Sequence, residues 1–455
     1  MQGNMPIKEE NIEKNDNNFN NNDNFNNDKN KIKQKIYKST DTMEYNNIHD
    51  NEEMDMNDFH DENYDLKDNT NNQINNSYSI NENEPNDFDI DGIKEELFIE
   101  EYNPSLGLTK KDDQKYMNAV LQCFAHIPEI TDKIINIHTD QNYQNIYKKL
   151  VLAKAYRELL INLFLPNIVS NLVKLPYNGK KFINLIKNLD PSLEEHNNDY
   201  REFIYFLISK LHEELNINKN EIGSEIHNNI DIKNENESLI EFLQNFTNKN
   251  DSMIVKNIYG IVKNVLYCNK CQNSFFNFYC YSYFTFNIQK IMEYKQSKYN
   301  NTNITLDIYD CLDYFQKAQT LLGDKAIFCP SCKEQTESTS LKNIYSTKNI
   351  LIFIFENDKE NDFSKNFDYT EIINLRDYVQ FKKDEKKSKD KFYLCGIVNL
   401  VEDNYGNETF IAFCRMGKNN DWYCYDDENI YPVTFQEIKN NGFPVILFYH
   451  KIIKK

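Results

Sequence analysis

Residues 259–288 read YGIVKNVLYCNKCQNSFFNFYCYSYFTFNI, and this stretch divides the chain into two kinds of predicted structure. It is rich in aromatic and β-branched residues, which favour β-strands. Before it, apolar residues recur at helical spacing, whereas short strand-like runs follow it. Helices followed by strands, without regular alternation, predict an α+β fold rather than a doubly wound parallel sheet. The later runs are ILIFIF (350–355), FYLCGIVNLV (392–401), TFIAFCR (409–415), WYCYD (422–426) and FPVILFYH (443–450).

The same stretch contains the first of two CxxC pairs. Cys268 and Cys271 form this pair, and Cys329 and Cys332 form the second. Each pair can present two thiolates to one metal ion, and four thiolates together are the tetrahedral set that zinc takes in structural sites. We therefore predict one structural zinc at the base of a β-ribbon. Unpaired reduced thiols or disulfides are the alternative. The sequence holds six other cysteines, of which Cys280, Cys311, Cys395, Cys414 and Cys424 are predicted to be packing residues.

The helical half contains three long amphipathic runs. They are YMNAVLQCFAHIPEI (116–130), IYKKLVLAKAYRELLINLF (146–164) and NDYREFIYFLISKLHEEL (198–215). Loops or insertions are predicted near residues 216–238, 291–303 and 380–390, where Asn, Lys, Glu and Ser dominate.

The first 97 residues differ in composition from the rest of the chain. They are rich in Asn and acidic side chains, with too few apolar residues to offset the entropy of ordering, and we predict a disordered tail. Residues 1–100 hold 25 acidic against 9 basic residues, while the remainder is nearly balanced, with 46 against 43. This balance argues against nucleic acid as the main ligand.

Two further features of the sequence bear on location. The chain has no run of 18 apolar residues and no apolar segment after a basic start, so we predict neither a membrane protein nor a secreted one. Two CxxC pairs in such a chain favour a reducing compartment, and we expect the cytoplasm or nucleus.

The order of motifs resembles the ubiquitin-specific protease family, the papain-like deubiquitinases. That family opens with Gly-Leu, a nucleophile loop and CYMNSxLQ, and here Gly107-Leu108 precedes KYMNAVLQ. The segment NNDYREFIYFLISKLHEEL (197–215) is similar to the family's QQDAxEFLxxLLDxLHEEL. Further similar segments are YGIVKNVLYCNKC (259–271), LRDYV (375–379), FYLCGIVNL (392–400), WYCYDDENIYPV (422–433) and ILFY (446–449), so the resemblance covers roughly residues 104–450.

This resemblance implies a papain-like cysteine protease hand that grips ubiquitin and leads its C-terminal tail between thumb and palm. On it we predict a ubiquitin-specific protease-like domain over residues 103–451. The helical thumb covers about 103–250, the zinc-ribbon fingers about 254–342, and the antiparallel β palm about 343–451.

The residues that match the family's catalytic triad lack its chemistry. Lys115 stands at the position of the nucleophilic cysteine, and Thr409 stands where the strand motif GHYxAY has its histidine. Asp426 matches the third position but has no histidine to orient. Hydrolysis by a cysteine thiol needs an activated nucleophile and a base. Both are replaced here, so no catalytic group is intact.

Other positions agree with a loss of catalysis. The family's oxyanion loop NLGNT corresponds to KKDDQ (110–114), and no histidine occurs between His227 and His450. We expect His450 to follow the last strand at the surface. Cys123 is a poor substitute nucleophile, because it lies on an apolar helical face. Where the family has Arg-Phe after a palm strand, this chain has Glu356-Asn357.

These observations predict a pseudoenzyme: a non-catalytic protein that binds ubiquitin or a ubiquitin-like fold as a scaffold or regulator of ubiquitin-dependent processes. One alternative is an active deubiquitinase, a thiol-dependent ubiquitin hydrolase with an unusual site. Another is a structural subunit of a multiprotein assembly that does not bind ubiquitin. The family's non-catalytic splicing branch would be an example, although it resembles this chain less at the zinc cysteines.

Overall fold

The structure is a computed structural model, and it describes residues 105–110, 116–165, 175–195, 199–218, 234–299, 304–356, 367–380, 390–402, 406–416 and 421–452. The predicted tail and Lys115 lie outside the described residues. Among the described helices, none combines the length and the apolar composition needed to cross a membrane.

Helices dominate the part of the chain before residue 258. They are α1 Met117–Ala125, α2 Pro128–Ile135, α3 Leu152–Phe164, α4 Lys180–Leu189, α5 Ser192–Glu195, α6 Tyr200–Leu215, α7 Glu235–Lys249 and α8 Met253–Asn257. Three more helices lie among the later strands: α9 Ile288–Tyr299, α10 Ile308–Phe315 and α11 Phe435–Lys439.

Strands dominate the rest of the chain. They are β1 Gly260–Cys268, β2 Ser274–Tyr281, β3 Phe284–Asn287, β4 Gln319–Leu321, β5 Ile327–Cys329, β6 Glu334–Thr336, β7 Ser338–Ser346, β8 Ile350–Glu356, β9 Ile372–Asn374, β10 Lys391–Glu402, β11 Glu408–Met416, β12 Asp421–Asp426, β13 Asn429–Val433 and β14 Phe443–Lys451.

The strands form three sheets that match a hand. The palm is an eight-stranded sheet in the order β13-β12-β11-β10-β14-β8-β3, with β9 also paired to β10. Its pairs are antiparallel except β3 with β8. The fingers combine a four-stranded sheet in the order β2-β1-β7-β4 with the β5–β6 hairpin. The predicted α+β hand with a helical thumb, ribbon fingers and an antiparallel palm is confirmed.

Helix α1 lies at the centre of the hand. All nine of its residues are buried. It packs against β10, β11 and β12 of the palm and against α2 and α6 of the thumb. A helix with apolar residues on every face is stable only where other elements cover all of its faces. The start of α1 is thereby placed at the junction of thumb and palm.

Helix α3 begins under a carboxylate from a neighbouring helix. Its own first residues provide no side-chain cap. The Glu214 carboxylate on α6 instead accepts hydrogen bonds from the backbone amides of Val151, Leu152 and Ala153, at 3.2, 3.0 and 2.9 Å. These amides have no partner within the helix, and a negative charge at a helix N-terminus is stabilising. The contact joins α3 to α6 within the thumb.

Two predicted loops are partly helical in the structure. Helix α7 begins at Glu235, inside the loop predicted near 216–238, and α9 covers Ile288–Tyr299, overlapping the loop predicted near 291–303. Helix α7 starts with a capping box, in which Asn234 and Glu237 satisfy each other's backbone amides. Helix α9 buries Ile288, Ile291 and Met292. Local capping and burial of one apolar face outweigh the polar composition that suggested loops.

Candidate functional site

Residues 106–109, which precede α1 in the sequence, are held by polar side chains of α1 itself. Asn118 donates through Nδ2 to the carbonyl of Thr109 at 3.1 Å, and Gln122 donates through Nε2 to the carbonyl of Leu106 at 2.9 Å. The two residues are one helical turn apart, so they lie on the same face of α1. This arrangement accounts for the Asn and Gln of the motif YMNAVLQ as positioning residues.

The turn between β12 and β13 closes over the same segment. The amide of Leu108 donates to the carbonyl of Asp427 at 3.0 Å, and Asn118 Nδ2 also donates to Asp427 Oδ1 at 2.8 Å. Burial, with the neighbouring Asp426 carboxylate, raises the pKa of Asp427, although the Asn118 hydrogen bond opposes the shift. The start of α1, the Gly107-Leu108 segment and the end of β12 therefore meet in one place.

Thr409 and Asp426 lie on strands that meet this region. Strand β11 pairs with β12 with Ala412 opposite Tyr425. Continuing that register by one residue sets Ile411 opposite Asp426, and residues opposite each other share a face of the sheet. Thr409 is two residues from Ile411 on the same strand, so Thr409 and Asp426 project from the same face of the palm. Phe410, beside Thr409, contacts the ring of Tyr116 at a centroid distance of 6.2 Å. Tyr116 follows Lys115, which itself lies outside the described residues.

The four histidines that the structure describes all have partners away from Thr409 and Asp426. His126 is buried between the carbonyl of Gln122 and the hydroxyl of Tyr425, at 2.6 and 3.2 Å. Burial lowers its pKa to about 4, so its imidazole is neutral near pH 7. The other three are bonded within the thumb or to it: His138 to Arg157, His212 to Ser252 and Asn250, and His450 to Glu129.

The expectation for His450 was wrong. The residue lies within β14 rather than after it, and it is buried. Its Nε2 pairs with the Glu129 carboxylate in the first turn of α2. Because α2 covers this end of the palm, a side chain near the end of the strand is enclosed by the thumb.

Cys123 is a core residue. It is buried, and its Sγ donates to the carbonyl of Ile397 at 3.3 Å. The Sγ of Cys414 lies 3.8 Å from it, and Cys395 is also buried, with its Sγ bonded to the carbonyl of Phe448. Burial raises the pKa of the Cys395 and Cys414 thiols, which keeps them protonated and unreactive. These contacts support packing roles for all three cysteines.

The thumb and palm also touch where α6 begins. The Tyr200 hydroxyl donates to the carbonyl of Phe355 at the end of β8 at 2.7 Å. The Tyr200 ring lies 5.8 Å from the Phe410 ring. The Arg201 guanidinium pairs with both Asp199 and Glu356. These contacts join α6, β8 and β11.

Neither Tyr200 nor Arg201 was predicted from the sequence to be a site residue. The sequence feature that could have identified this contact is Tyr200 itself, since the family pattern QQDAxEF has Ala at that position. A large aromatic side chain in place of a methyl group changes what the start of α6 can reach.

Four thiols at the base of the fingers could hold a metal ion. The Sγ atoms of Cys268, Cys271, Cys329 and Cys332 all lie within 4.8 Å of one another. The Cys271–Cys329 and Cys268–Cys332 distances are 3.6 and 3.9 Å. A tetrahedron with Zn–S bonds of about 2.3 Å has S–S edges of about 3.8 Å, so the donor set fits zinc.

The two CxxC pairs, which we call knuckles, have the same backbone conformation. In each, the residue four places after the first cysteine has a positive φ, 62° at Gln272 and 57° at Lys333. Its amide donates to the carbonyl of that first cysteine, at 2.9 Å in the first knuckle and 2.7 Å in the second. This turn aims both thiols of a pair to the same side. Leu266, Phe275 and Leu321 pack around the cluster, in which the first cysteine of each pair is buried and the second is partly exposed.

Comparison with known proteins agrees with this fold and site. The sequence profile of the ubiquitin carboxyl-terminal hydrolase family matches residues 106–449. The chain is a papain-like hand with a four-cysteine ribbon, and it belongs to the ubiquitin carboxyl-terminal hydrolase family.

Curated relatives align with this chain, and solved structures share its fold. Ubiquitin carboxyl-terminal hydrolase 4 of Saccharomyces cerevisiae (strain RM11-1a) is 26% identical over 383 residues, which are 76% of this chain and 39% of the yeast protein. The chain thus spans about two fifths of that relative's length. Ubiquitin carboxyl-terminal hydrolase 9 of Arabidopsis thaliana is 26% identical over 151 residues, 32% of this chain and 16% of the plant protein. A chain of the SAGA Ubp8/Sgf11/Sus1/Sgf73 DUB module bound to ubiquitin aldehyde superposes with a TM-score of 0.52 at 18% identity, covering 77% of this chain and 70% of that one.

Proposed function

We propose that this chain is a non-catalytic member of its family that binds ubiquitin or a ubiquitin-like fold as a scaffold or regulator of ubiquitin-dependent processes. The observation that carries the proposal is Thr409, which stands on β11 where the family's general base would be. A threonine hydroxyl cannot accept a proton near neutral pH. Asp426, on the same face of the palm, then has no imidazole to orient.

The remaining positions support the same conclusion. Lys115 stands at the nucleophile's position in the sequence, and the described histidines are engaged elsewhere. In a cooperating triad the loss of one nucleophile or base can cost on the order of 10⁶ in rate. With both replaced, we expect no measurable hydrolysis. The retained hand supports a binding role, although fold alone does not fix function.

The metal in the fingers is proposed to be zinc in a structural role. Cys268, Cys271, Cys329 and Cys332 would hold it, and four protein ligands leave no open coordination position. The ion would supply cross-linking of the two knuckles. The chain itself already joins them, because Asn273 Nδ2 donates to Ser331 Oγ at 2.8 Å and Lys270 pairs with Glu334.

Partner, location and domain limits are further parts of the proposal. The solved relatives include a SAGA DUB module bound to monoubiquitin, which supports ubiquitin as the partner and membership of a multiprotein assembly. We place the protein in the cytoplasm or nucleus, with neither nucleic acid nor membrane as its ligand. The ubiquitin-binding domain is proposed to span residues 103–451, with its thumb at about 103–250, fingers at about 254–342 and palm at about 343–451.

The test combines binding and turnover. Labelled mono-ubiquitin is titrated into the full chain, and cleavage of a fluorogenic ubiquitin C-terminal amide is followed in parallel with an active family member as positive control. We expect saturable binding without turnover. Turnover that disappears in Cys123→Ala, with folding verified by circular dichroism, would establish an active enzyme instead. Absence of both binding and turnover would favour a structural subunit with another partner.

A further inference from the structure

The groove between thumb and palm is bridged beside the position of Thr409. Its three walls are the first turn of α6, the end of β8 and the start of β11. We call Tyr200, Arg201, Phe355, Glu356 and Phe410 the latch, because they join these walls directly. Tyr200 supplies both a hydrogen bond to β8 and a ring contact to β11.

The latch leaves no space for an extended peptide between α6 and β8. A strand lies about 4.7–4.9 Å from each backbone neighbour, so a peptide with a wall on either side needs walls about 9–10 Å apart. Here the Tyr200 and Arg201 side chains fill the space between the two backbones, because the Tyr200 hydroxyl donates to the Phe355 carbonyl at 2.7 Å and the Arg201 guanidinium pairs with Glu356. The Phe355 carbonyl already accepts one hydrogen bond, and the Tyr200 ring stands on the side from which a peptide amide would have to approach it.

The charged groups at the latch are satisfied within the chain. Arg201 donates through Nε to Asp199 Oδ1 at 2.9 Å and through Nη2 to Asp199 Oδ2 at 2.7 Å. Burial alone would raise the pKa of Asp199, but the hydrogen bonds from Arg201 outweigh burial and lower it. A forked guanidinium is the ligand that best fits a carboxylate. A basic peptide would have to displace Arg201 before it could pair with Asp199.

Two of these residues depart from the family pattern. Tyr200 replaces the Ala of QQDAxEF, and Glu356 replaces the Arg that usually follows the palm strand. A methyl group at position 200 could not reach β8. With an arginine at position 356, Arg201 would face a like charge. The bridge therefore depends on residues that distinguish this chain.

We propose that the latch excludes a C-terminal peptide tail from the thumb–palm groove, so that this chain binds ubiquitin by its globular body and not by its tail. This inference rests on the proposed function and specifies which part of ubiquitin is recognised. The fingers and the outer palm remain as the contact surface, while the groove contributes no affinity.

The test compares full-length ubiquitin with ubiquitin truncated before its flexible tail. The full chain should bind both forms within about twofold, because the tail makes no contact. In Tyr200→Ala/Arg201→Gln the groove is open, and full-length ubiquitin should bind about tenfold more tightly than the truncated form, equivalent to about 1.4 kcal/mol. A tenfold preference for full-length ubiquitin in the unaltered protein would overturn the proposal, as would equal binding of both forms by the double variant.

Amide hydrogen exchange in the free protein separates this inference from the proposed function. The double variant should exchange faster at the first turn of α6 and the end of β8, with the rest of the hand unchanged. Tyr205→Ala, on the exposed side of the same helix, is the matched control and should leave both segments protected. Failure of every variant to bind ubiquitin refutes the proposed function. Unchanged exchange in the double variant refutes the latch.

Discussion

Gly107 lies where two backbone carbonyls approach it closely. A Cβ atom at this position would stand 2.5 Å from the carbonyl oxygen of Asp427 and 2.9 Å from that of Glu428. Backbone atoms cannot move aside without shifting the β12–β13 turn. We expect Gly107→Ala to destabilise the protein by about 3 kcal/mol, as overpacking does, measured by urea unfolding with the single tryptophan, Trp422, as the fluorescent probe.

Gly179→Ala provides the comparison for that substitution. Its Cβ would meet only a Leu108 methyl at 3.5 Å, an ordinary contact. Because Gly179 is the N-cap of α4, replacement by Ala should cost about 1 kcal/mol or less. Equal losses in the two variants would show that the close approach at Gly107 does not constrain the fold.

His126 should make stability dependent on pH. Its folded pKa is about 4 because it is buried, whereas the unfolded imidazole titrates at 6.5. Between these values the unfolded chain binds a proton that the folded chain does not. Stability is therefore lost as pH falls from 6.5 towards 4, by about 3 kcal/mol at 1.36 kcal/mol per pH unit. Urea unfolding at several pH values from 4 to 7 gives the free energy of unfolding as a function of pH. This free energy should change less with pH in His126→Gln than in the unaltered protein. An identical pH dependence in the two proteins would contradict a buried neutral imidazole.

At the level of elements, helix α3 depends on a cap from α6. Glu214→Ala removes the acceptor of three backbone amides, and we expect a loss of about 1–3 kcal/mol. Its neighbour gives the control, since Glu213 pairs with Lys210 at the exposed surface. Glu213→Ala should stay within about 0.5 kcal/mol. Thermal unfolding compares the two variants directly, and equal midpoints would mean that the cap does not stabilise α3.

The fingers should contain one zinc ion for each chain. Cys268→Ser or Cys329→Ser removes one ligand of the set, so metal content should fall well below one equivalent and the unfolding midpoint should drop. Cys280→Ser, on β2 and outside the four-cysteine cluster, should retain the metal. Elemental analysis after gel filtration measures the content. Full zinc retention in both ligand variants would exclude this site.

Elements differ in how far the sequence predicts them. The long apolar runs predict α1, α3, α6 and the main palm strands, because each buries a continuous face. The loops predicted near 216–238 and 291–303 overlap the first turn of α7 and most of α9, because the polar composition hides the capping box of α7 and the narrow buried face of α9. The latch could not be predicted either, because Tyr200 and Phe355 are 155 positions apart and their contact depends on how α6 approaches β8.

For the whole molecule, restoring the missing side chains should not restore access to them. We expect Lys115→Cys/Thr409→His to remain unlabelled by ubiquitin whose C-terminus carries a thiol-reactive electrophile, because the latch keeps the tail out. Adding Tyr200→Ala/Arg201→Gln should permit labelling at the thiol introduced at position 115, detected by mass spectrometry. This readout needs tail access but not an oxyanion site. Labelling of the double variant with the latch intact would contradict the closed groove.

The position of β14 in the palm has a consequence for biosynthesis. This strand, Phe443–Lys451, lies between β10 and β8, near the middle of the eight-stranded sheet. During translation the emerging chain therefore carries two unpaired strand edges until residues 443–451 have left the ribosome. Exposed strand edges promote association with other chains. A nascent hand of this design should engage chaperones until residues 443–451 emerge, and a ribosome stalled before residue 443 should hold a palm in two separate halves.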